Sequence, residues 1–289
     1  MLAAVSGGAD SLALAAATCH AARRLRLRAG AVVVDHGLQE GSARQADLAA
    51  GICRELGLDP VDVVGVQVGG GGGPEGAARS ARYAVLAELA ERRGASAVLL
   101  GHTLDDQAES VLLGLARGSG GRSLAGMAPV TGRWRRPLLG IRRADTEAAC
   151  AALGLAAWDD PHNHDRGYAR VRVRRDALPA LEAALGPGVA EALARTADLL
   201  RADSDTLAAL AVAAADDGLQ ISDLLSLPPA LRTRVLRRAA VSAGAPAGAV
   251  TAGHIRDLEA LVGDGRGDRK VSLPGGLVAE RRCDRLSFR

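Results

Sequence analysis

The sequence predicts an α/β protein: a mainly parallel sheet with helices on both faces, followed by a second, mainly helical domain. Three observations carry that expectation. Short apolar runs alternate with helical stretches through the first half of the chain. A glycine turn, Ser6-Gly7-Gly8-Ala9-Asp10-Ser11, joins the first apolar run to the first helical one. From Ala177 onward the alternation stops and helical periodicity takes over. A length of 289 residues suits about two domains, placed here at residues 1–175 and 176–289.

Leu2–Val5 is a short apolar strand, and Asp10–Arg24 a helix. Ala31–Val34 is a second strand, and Ser42–Leu56 a helix with Ser42 as its cap. The β-branched run Val61–Val68 is a third strand. Five glycines, Gly69–Gly73, make a loop before the helix Glu75–Arg93. Ala97–Leu100 and Leu104–Arg117 repeat the strand–helix pair. Such alternation favours parallel strands joined by crossover helices. Leu138–Arg143 reads as extended, Asp145–Leu153 as helix, and Asp159–Arg175 as irregular and arginine-rich. Helices follow at Ala177–Leu185, Val189–Asp216, Ile221–Leu225, Pro229–Ala243 and Thr251–Val262. The tail segments Lys270–Leu273, Gly276–Glu280 and Arg285–Phe288 are short strands.

Composition excludes several classes. With 48% apolar and 24% charged residues, the chain is neither disordered nor a small disulfide scaffold. No apolar run reaches the length of a membrane span, and the opening MLAAVSGGADS does not support a secretory signal. Cys19, Cys53, Cys150 and Cys283 lie far apart with no CxxC pair, which fits a reducing cytoplasm rather than a cysteine-ligated metal. Aromatic residues make up only 2%, too few for a broad base-stacking platform. Residues 131–190 hold ten basic against seven acidic side chains, densest at Arg166, Arg170, Arg172, Arg174 and Arg175. A local basic stripe points to a polyanion or to a solvated, ion-paired face.

The glycine turn has a definite chemistry. Gly7 and Gly8 let backbone approach a ligand without Cβ obstruction, and the helix start presents free N–H groups to an anion. Ser6 and Ser11 add hydroxyls. The string lacks the GK[ST] ending of a Walker loop. Asp35-His36 follows the second strand, and His102 through Glu109 follows the fourth. All three groups therefore meet at the carboxyl edge of the sheet, where open α/β sheets bind ligands. Asp105, Asp106 and Glu109 start a helix, where acids also favour the dipole. The preceding His102 and the adjacent anion loop favour a site. Arg117 before Gly118 is either a helix C-cap or a phosphate clamp. Tyr168 to Arg174 carries arginines spaced by two, which would align Arg170, Arg172 and Arg174 along an RNA backbone if extended.

The SGGADS string resembles the PP-loop of the ATP pyrophosphatase superfamily, whose members cleave ATP to AMP and pyrophosphate while adenylating a substrate oxygen. Further segments resemble the tRNA(Ile)-lysidine synthase family within it: VDHGL at 34–38, ARSARY at 78–83, GHTLDDQAES at 101–110, RGSG at 117–120, RPLL at 136–139 and DPHN at 160–163. Together they span about residues 2–180. The resemblance implies binding of ATP by Ser6, Gly7, Gly8, Ala9, Asp10, Ser11, Asp35 and His36. It implies chemistry near Asp10, His102, Asp106 and Glu109, with Mg²⁺ on Asp10 and Asp106. It also implies tRNA contacts from Arg117, Arg170, Arg172 and Arg174. The substrates it implies are the isoleucine tRNA with a CAU anticodon and free lysine, joined by a carbon–nitrogen ligase reaction in the cytoplasm.

Departures from the family pattern are local. Val171 stands where the family has Asn, and His162 where it has Ser or Thr. The chain opens almost on its first strand, where the family carries an upstream segment, and resembles the shorter form of the family at its end. Rival readings are a PP-loop tRNA thiolase, which the missing CxxC pairs disfavour, and an amidotransferase-type synthetase, which would need a glutaminase module. A third is a non-catalytic nucleotide-dependent RNA-binding module, disfavoured by the intact SGGADS and DDQAE strings.

Overall fold

A computed structural model describes residues 1–35, 37, 41–66, 74–118, 120–214, 219–263, 269–282 and 284–289. They form two compact units, Met1–Leu200 and Arg201–Arg289. The expected positions of His36, the five-glycine loop and Cys283 lie outside the described residues.

The first unit begins β1 (Leu2–Val5), α1 (Ala9–Leu25), β2 (Gly30–Asp35), α2 (Ser42–Leu56), β3 (Val61–Gly65), α3 (Pro74–Arg92), β4 (Val98–Leu100) and α4 (Leu104–Ala116). A short α5 (Gly121–Leu124) and the strands β5 (Val130–Thr131) and β6 (Trp134–Arg135) follow. Strand order is β3-β2-β1-β4-β6-β5. All neighbours pair parallel except β5 with β6. Alternate residues of β1 feed two cores. Ala3 and Val5 pack with Leu12, Ala15, Ala50 and Cys53 from α1 and α2 on one face. Leu2 and Ala4 pack with Leu86, Leu89 and Ala90 from α3 on the other. Burial on both faces explains why the central strands read as unbroken apolar runs.

Several expectations are corrected. Ser42 is the first residue of α2, and Gly41 at φ +82° is the cap, because the chain must turn through the left-handed region there. Residues 138–141 form a turn, closed by the Ile141 amide donating to the Leu138 carbonyl at 2.9 Å, rather than an extended run. Helix α6 (Arg143–Ala152) starts two residues earlier than expected. The segment expected to be irregular contains a 3₁₀ turn at Pro161–His164 and then α7 (Ala169–Arg172), a π turn at Val173–Ala177 and α8 (Leu178–Leu185) in unbroken succession. Leu178 and Val173 bury against Leu104, Ala108 and Ala190, so one apolar stripe holds this helical stretch on α4. Helix α9 (Val189–Ala213) follows.

In the second unit α10 (Ile221–Ser226), α11 (Pro229–Ser242) and α12 (Ala252–Gly263) precede a three-stranded antiparallel sheet, β7 (Lys270–Ser272), β8 (Val278–Arg282) and β9 (Arg285–Phe288). Its core gathers Ile221, Leu224, Leu236, Leu258, Leu261 and Leu286.

Candidate active site

The first turn of α1 opens from a tightly bonded glycine loop. Gly7 sits at φ +87°, which turns the chain sharply between β1 and α1. The Ser11 hydroxyl accepts from the Ser6 amide at 3.1 Å and donates to the Gly8 carbonyl at 2.8 Å. These bonds fix the loop using its own hydroxyl. The amides of Gly7, Gly8, Ala9 and Asp10 meet no described acceptor, as expected for a helix start that faces a ligand. The Trp158 amide donates to the Gly7 carbonyl at 2.9 Å, so the 158–163 segment is strapped onto the loop.

Above this loop lies a cavity of about 650 Å³, lined by Ser6, Gly8, Asp10, His102, Asp106 and Trp158, among others. Ala4, Val5, Val32 and Val34 give it an apolar wall. A smaller cavity of about 270 Å³ shares Ser6, Gly8, Arg82 and Trp158 with it and adds Asp35. Asp35 accepts from the Gly37 amide at 2.9 Å, which orients its carboxylate.

The start of α4 sets the acidic groups. Thr103 caps it: its amide donates to Asp106 Oδ2 at 2.9 Å, and its hydroxyl accepts from the Asp106 amide at 3.4 Å. Asp105 turns away and binds Arg142 at 3.1 Å and the Arg143 amide at 2.7 Å. Asp105 therefore anchors the start of α6, a structural role for one of the three acids that open α4.

Arg143, unnoticed in the sequence, is the hub. Its guanidinium reaches Asp10 at 3.1 Å, Asp106 at 3.1 Å and Glu109 at 3.4 Å. Thr146, one turn on, donates its hydroxyl to the other oxygen of Asp10. Burial opposes the charge on Arg143, but the carboxylates of Asp106, Glu109 and Asp10 outweigh it and hold the group above the ordinary guanidinium range. Burial likewise opposes the charge on Asp106, yet Arg143, the Thr103 amide and Arg170 keep its carboxyl below the usual range.

Glu109 has a side chain with 0% exposure and does not line the cavity. Arg174 binds it at 2.7 Å and Arg170 at 3.3 Å, in addition to Arg143. Three carboxylates, Asp10, Asp106 and Glu109, thus meet three guanidiniums. Arg170 and Arg174 converge because they are four residues apart on a helical stretch. The expected extended row along an RNA backbone is corrected accordingly: only Arg172 points to solvent, donating to the carbonyls of Arg166 and Gly167 at 2.7 and 2.9 Å. Arg117 caps the far end of α4, exposed, on the order of 20 Å from the acidic start by helical rise. It is not brought to the cluster.

His102 follows β4 and lines the larger cavity. Burial, opposed by Asp106 and reinforced by Arg82, Arg79 and Arg136, lowers its pKa to about 3, so the imidazole is neutral near pH 7. Its Nδ1 is buried and has no hydrogen-bond partner. Arg82, which lines both cavities, has no described carboxylate partner, and burial lowers its pKa. A desolvated cation and an orphaned ring nitrogen beside a row of free amides make a site short of an anionic, hydrogen-bonding ligand. Arg82 lay within the ARSARY segment, but nothing in its spacing assigned it a role.

Comparison with known proteins adds the family context. The description of a PP-loop domain matches residues 1–181, and that of the TilS substrate binding domain matches residues 219–287. The tRNA(Ile)-lysidine synthase of Streptomyces coelicolor is 55% identical over 298 residues, covering 100% of this chain and 85% of that protein. The enzyme of the same name from Thermobifida fusca is 57% identical over 287 residues, covering 97% and 89%. Among solved structures, the U34-tRNA thiolase NcsA from Methanococcus maripaludis, with its [4Fe-4S] cluster, shares the fold. Its TM-score is 0.59 at 21% identity, covering 69% of this chain and 72% of that one.

Proposed function

The chain belongs to the tRNA(Ile)-lysidine synthase family of PP-loop proteins, and from that premise we propose that it converts the wobble cytidine of isoleucine tRNA with a CAU anticodon into lysidine, consuming ATP and free lysine. The observation that carries this reading is the row of free amides from Gly8 to Asp10, residues that line a cavity with an apolar wall. The amides and Ser6 hold the triphosphate, and Arg82 neutralises it. The cytosine C2 oxygen attacks the α-phosphorus, and pyrophosphate leaves toward the helix start. The lysine ε-amine then attacks C2, and AMP departs.

Asp10 and Asp106 both line the cavity with partly exposed carboxylates, 22% and 12%, and are the residues that would hold a Mg²⁺ there. Glu109, sealed behind three arginines, does not fit that donor set. Bound there, Mg²⁺ would supply charge to the pyrophosphate leaving group. Arg143 holds Asp10 and Asp106 in register. His102, neutral with an orphaned Nδ1, is a hydrogen-bond partner for substrate rather than a proton acceptor near pH 7. Arg117 and Arg172, both exposed, are offered as tRNA phosphate contacts, and the second unit as the tRNA-positioning part. Among the described residues no helix is long and apolar enough to cross a membrane. The reading places the protein in the cytoplasm with its substrates.

The test is a reaction of purified protein with ATP, radiolabelled lysine and a minor isoleucine tRNA transcript. Lysine entering RNA with equimolar AMP and pyrophosphate supports the proposal. ATP cleavage without lysine transfer to this transcript contradicts it.

A further inference from the structure

We propose that Trp158 is a stacking surface for a nucleobase held in the cavity over the phosphate loop. The inference rests on the proposed function for the identity of the ligand, and on geometry for the residue. The chain holds two tryptophans, two tyrosines and one phenylalanine. Two of these are spent on each other: Tyr83 and Trp134 pack edge to face at 4.8 Å. Tyr168 faces His162 at 6.0 Å, and Phe288 packs on the core of the second unit. Trp158 alone lines both cavities. Its indole is half-buried and makes no hydrogen bond or ring contact with any described residue.

An indole left without a partner in a cavity wall offers a large flat π-face to whatever enters. Its position is not loose. The Trp158 amide bonds the Gly7 carbonyl at 2.9 Å, and its Cβ lies 3.8 Å from where a Cβ on Gly7 would sit. The backbone and Cβ that carry the ring are therefore held beside the amides of the phosphate loop. The aliphatic wall of Ala4, Val5, Val32 and Val34 bounds the same space. A planar heterocycle linked to a phosphate group fits between an aromatic face, an aliphatic wall and an anion nest. The base comes from one of two sources, the adenine of ATP or the unstacked pyrimidine of the RNA.

The experiment uses the full chain with Trp134→Phe, which leaves Trp158 as the sole tryptophan. Its emission is followed on adding ATP, AMP, tripolyphosphate or an anticodon stem–loop RNA with a CAU anticodon. Quenching by ATP and AMP but not by tripolyphosphate assigns the adenine to Trp158. Quenching by the stem–loop alone assigns the pyrimidine. In steady-state assays Trp158→Ala raises KM for the quenching substrate by roughly 5- to 150-fold, the usual worth of one base–aromatic stack. Trp158→Phe keeps an aromatic face and recovers most of that loss, which a merely structural role for the indole would not produce. Two results overturn the proposal. One is calorimetric binding of ATP and of the stem–loop with unchanged emission from both. The other is quenching by tripolyphosphate equal to that by ATP. Failure of the protein to bind any nucleotide would remove the proposed function along with the stack, whereas binding without quenching removes the stack alone.

Discussion

Replacing Glu109 by Gln tests whether the acidic start of α4 is held by charge or by shape. The substitution keeps volume and removes one negative charge from a side chain with 0% exposure. Arg174, Arg143 and Arg170 then lose a carboxylate at 2.7, 3.4 and 3.3 Å. Breaking a fully buried pair typically costs about 3–5 kcal/mol. Here the three arginine side chains keep 27%, 19% and 30% exposure, so water screens part of the imbalance. A loss of about 3 kcal/mol follows. For a chain of this size that lowers Tm by roughly 6–12 °C. Urea unfolding of wild type, Glu109→Gln, Arg174→Gln and the double variant completes a cycle. The double variant is expected to be more stable than the two single losses combined would give, because it restores charge balance. Glu109→Gln within about 0.5 kcal/mol of wild type, with no coupling to Arg174, would refute the reasoning.

His102 makes stability pH-dependent. Its folded pKa of about 3 lies below the ordinary 6.5. The unfolded chain therefore takes up a proton first, and stability falls as pH drops from about 6.5 toward 3. His102→Gln should flatten that limb in denaturation curves, and an unchanged limb would argue against a neutral buried ring. In the lysine-transfer step, neither the weakly basic His102 nor the low-pKa Asp106 takes a proton readily near neutrality. The single-turnover rate should thus climb with pH toward the alkaline range where the lysine ammonium ionises; a plateau reached near pH 7 would reveal an efficient base. Arg172→Ala should leave Tm within about 1–2 °C while lowering the slope of log affinity for tRNA against log salt by about 0.9. Arg174→Ala should lower Tm instead.

Much of the fold was legible because it is local. Leu2–Val5, Gly30–Asp35 and the helix between them announce themselves through runs and periodicity. The Ser6–Ser11 loop was legible for the same reason, since six consecutive residues make the whole nest. What escaped was long-range or very short. Arg143 binds Asp10 across 133 residues, and nothing in the neighbourhood of either announces the pairing. The hairpin β5–β6 has two residues per strand, too few for any alternation to show. An extended reading of their polar segment misplaces Arg170 and Arg174, which lie on a helical stretch. Its apolar residues Val171, Val173 and Leu178 are few, but buried contact with α4 suffices to make it helical. Trp158 gives no signal in the sequence because a single tryptophan in a loop forms no spacing pattern.

Nucleobase activation over the phosphate loop is most directly tested by trapping the adenylated RNA. Protein, [α-³²P]ATP and the minor isoleucine tRNA transcript are mixed without lysine, and the RNA is resolved on an acidic gel. Label is expected on the RNA, absent when the wobble cytidine is replaced by uridine and chased off as AMP when lysine is added. Lysine entering the RNA with no labelled intermediate in a rapid quench, or label that appears equally on the uridine transcript, would contradict the account.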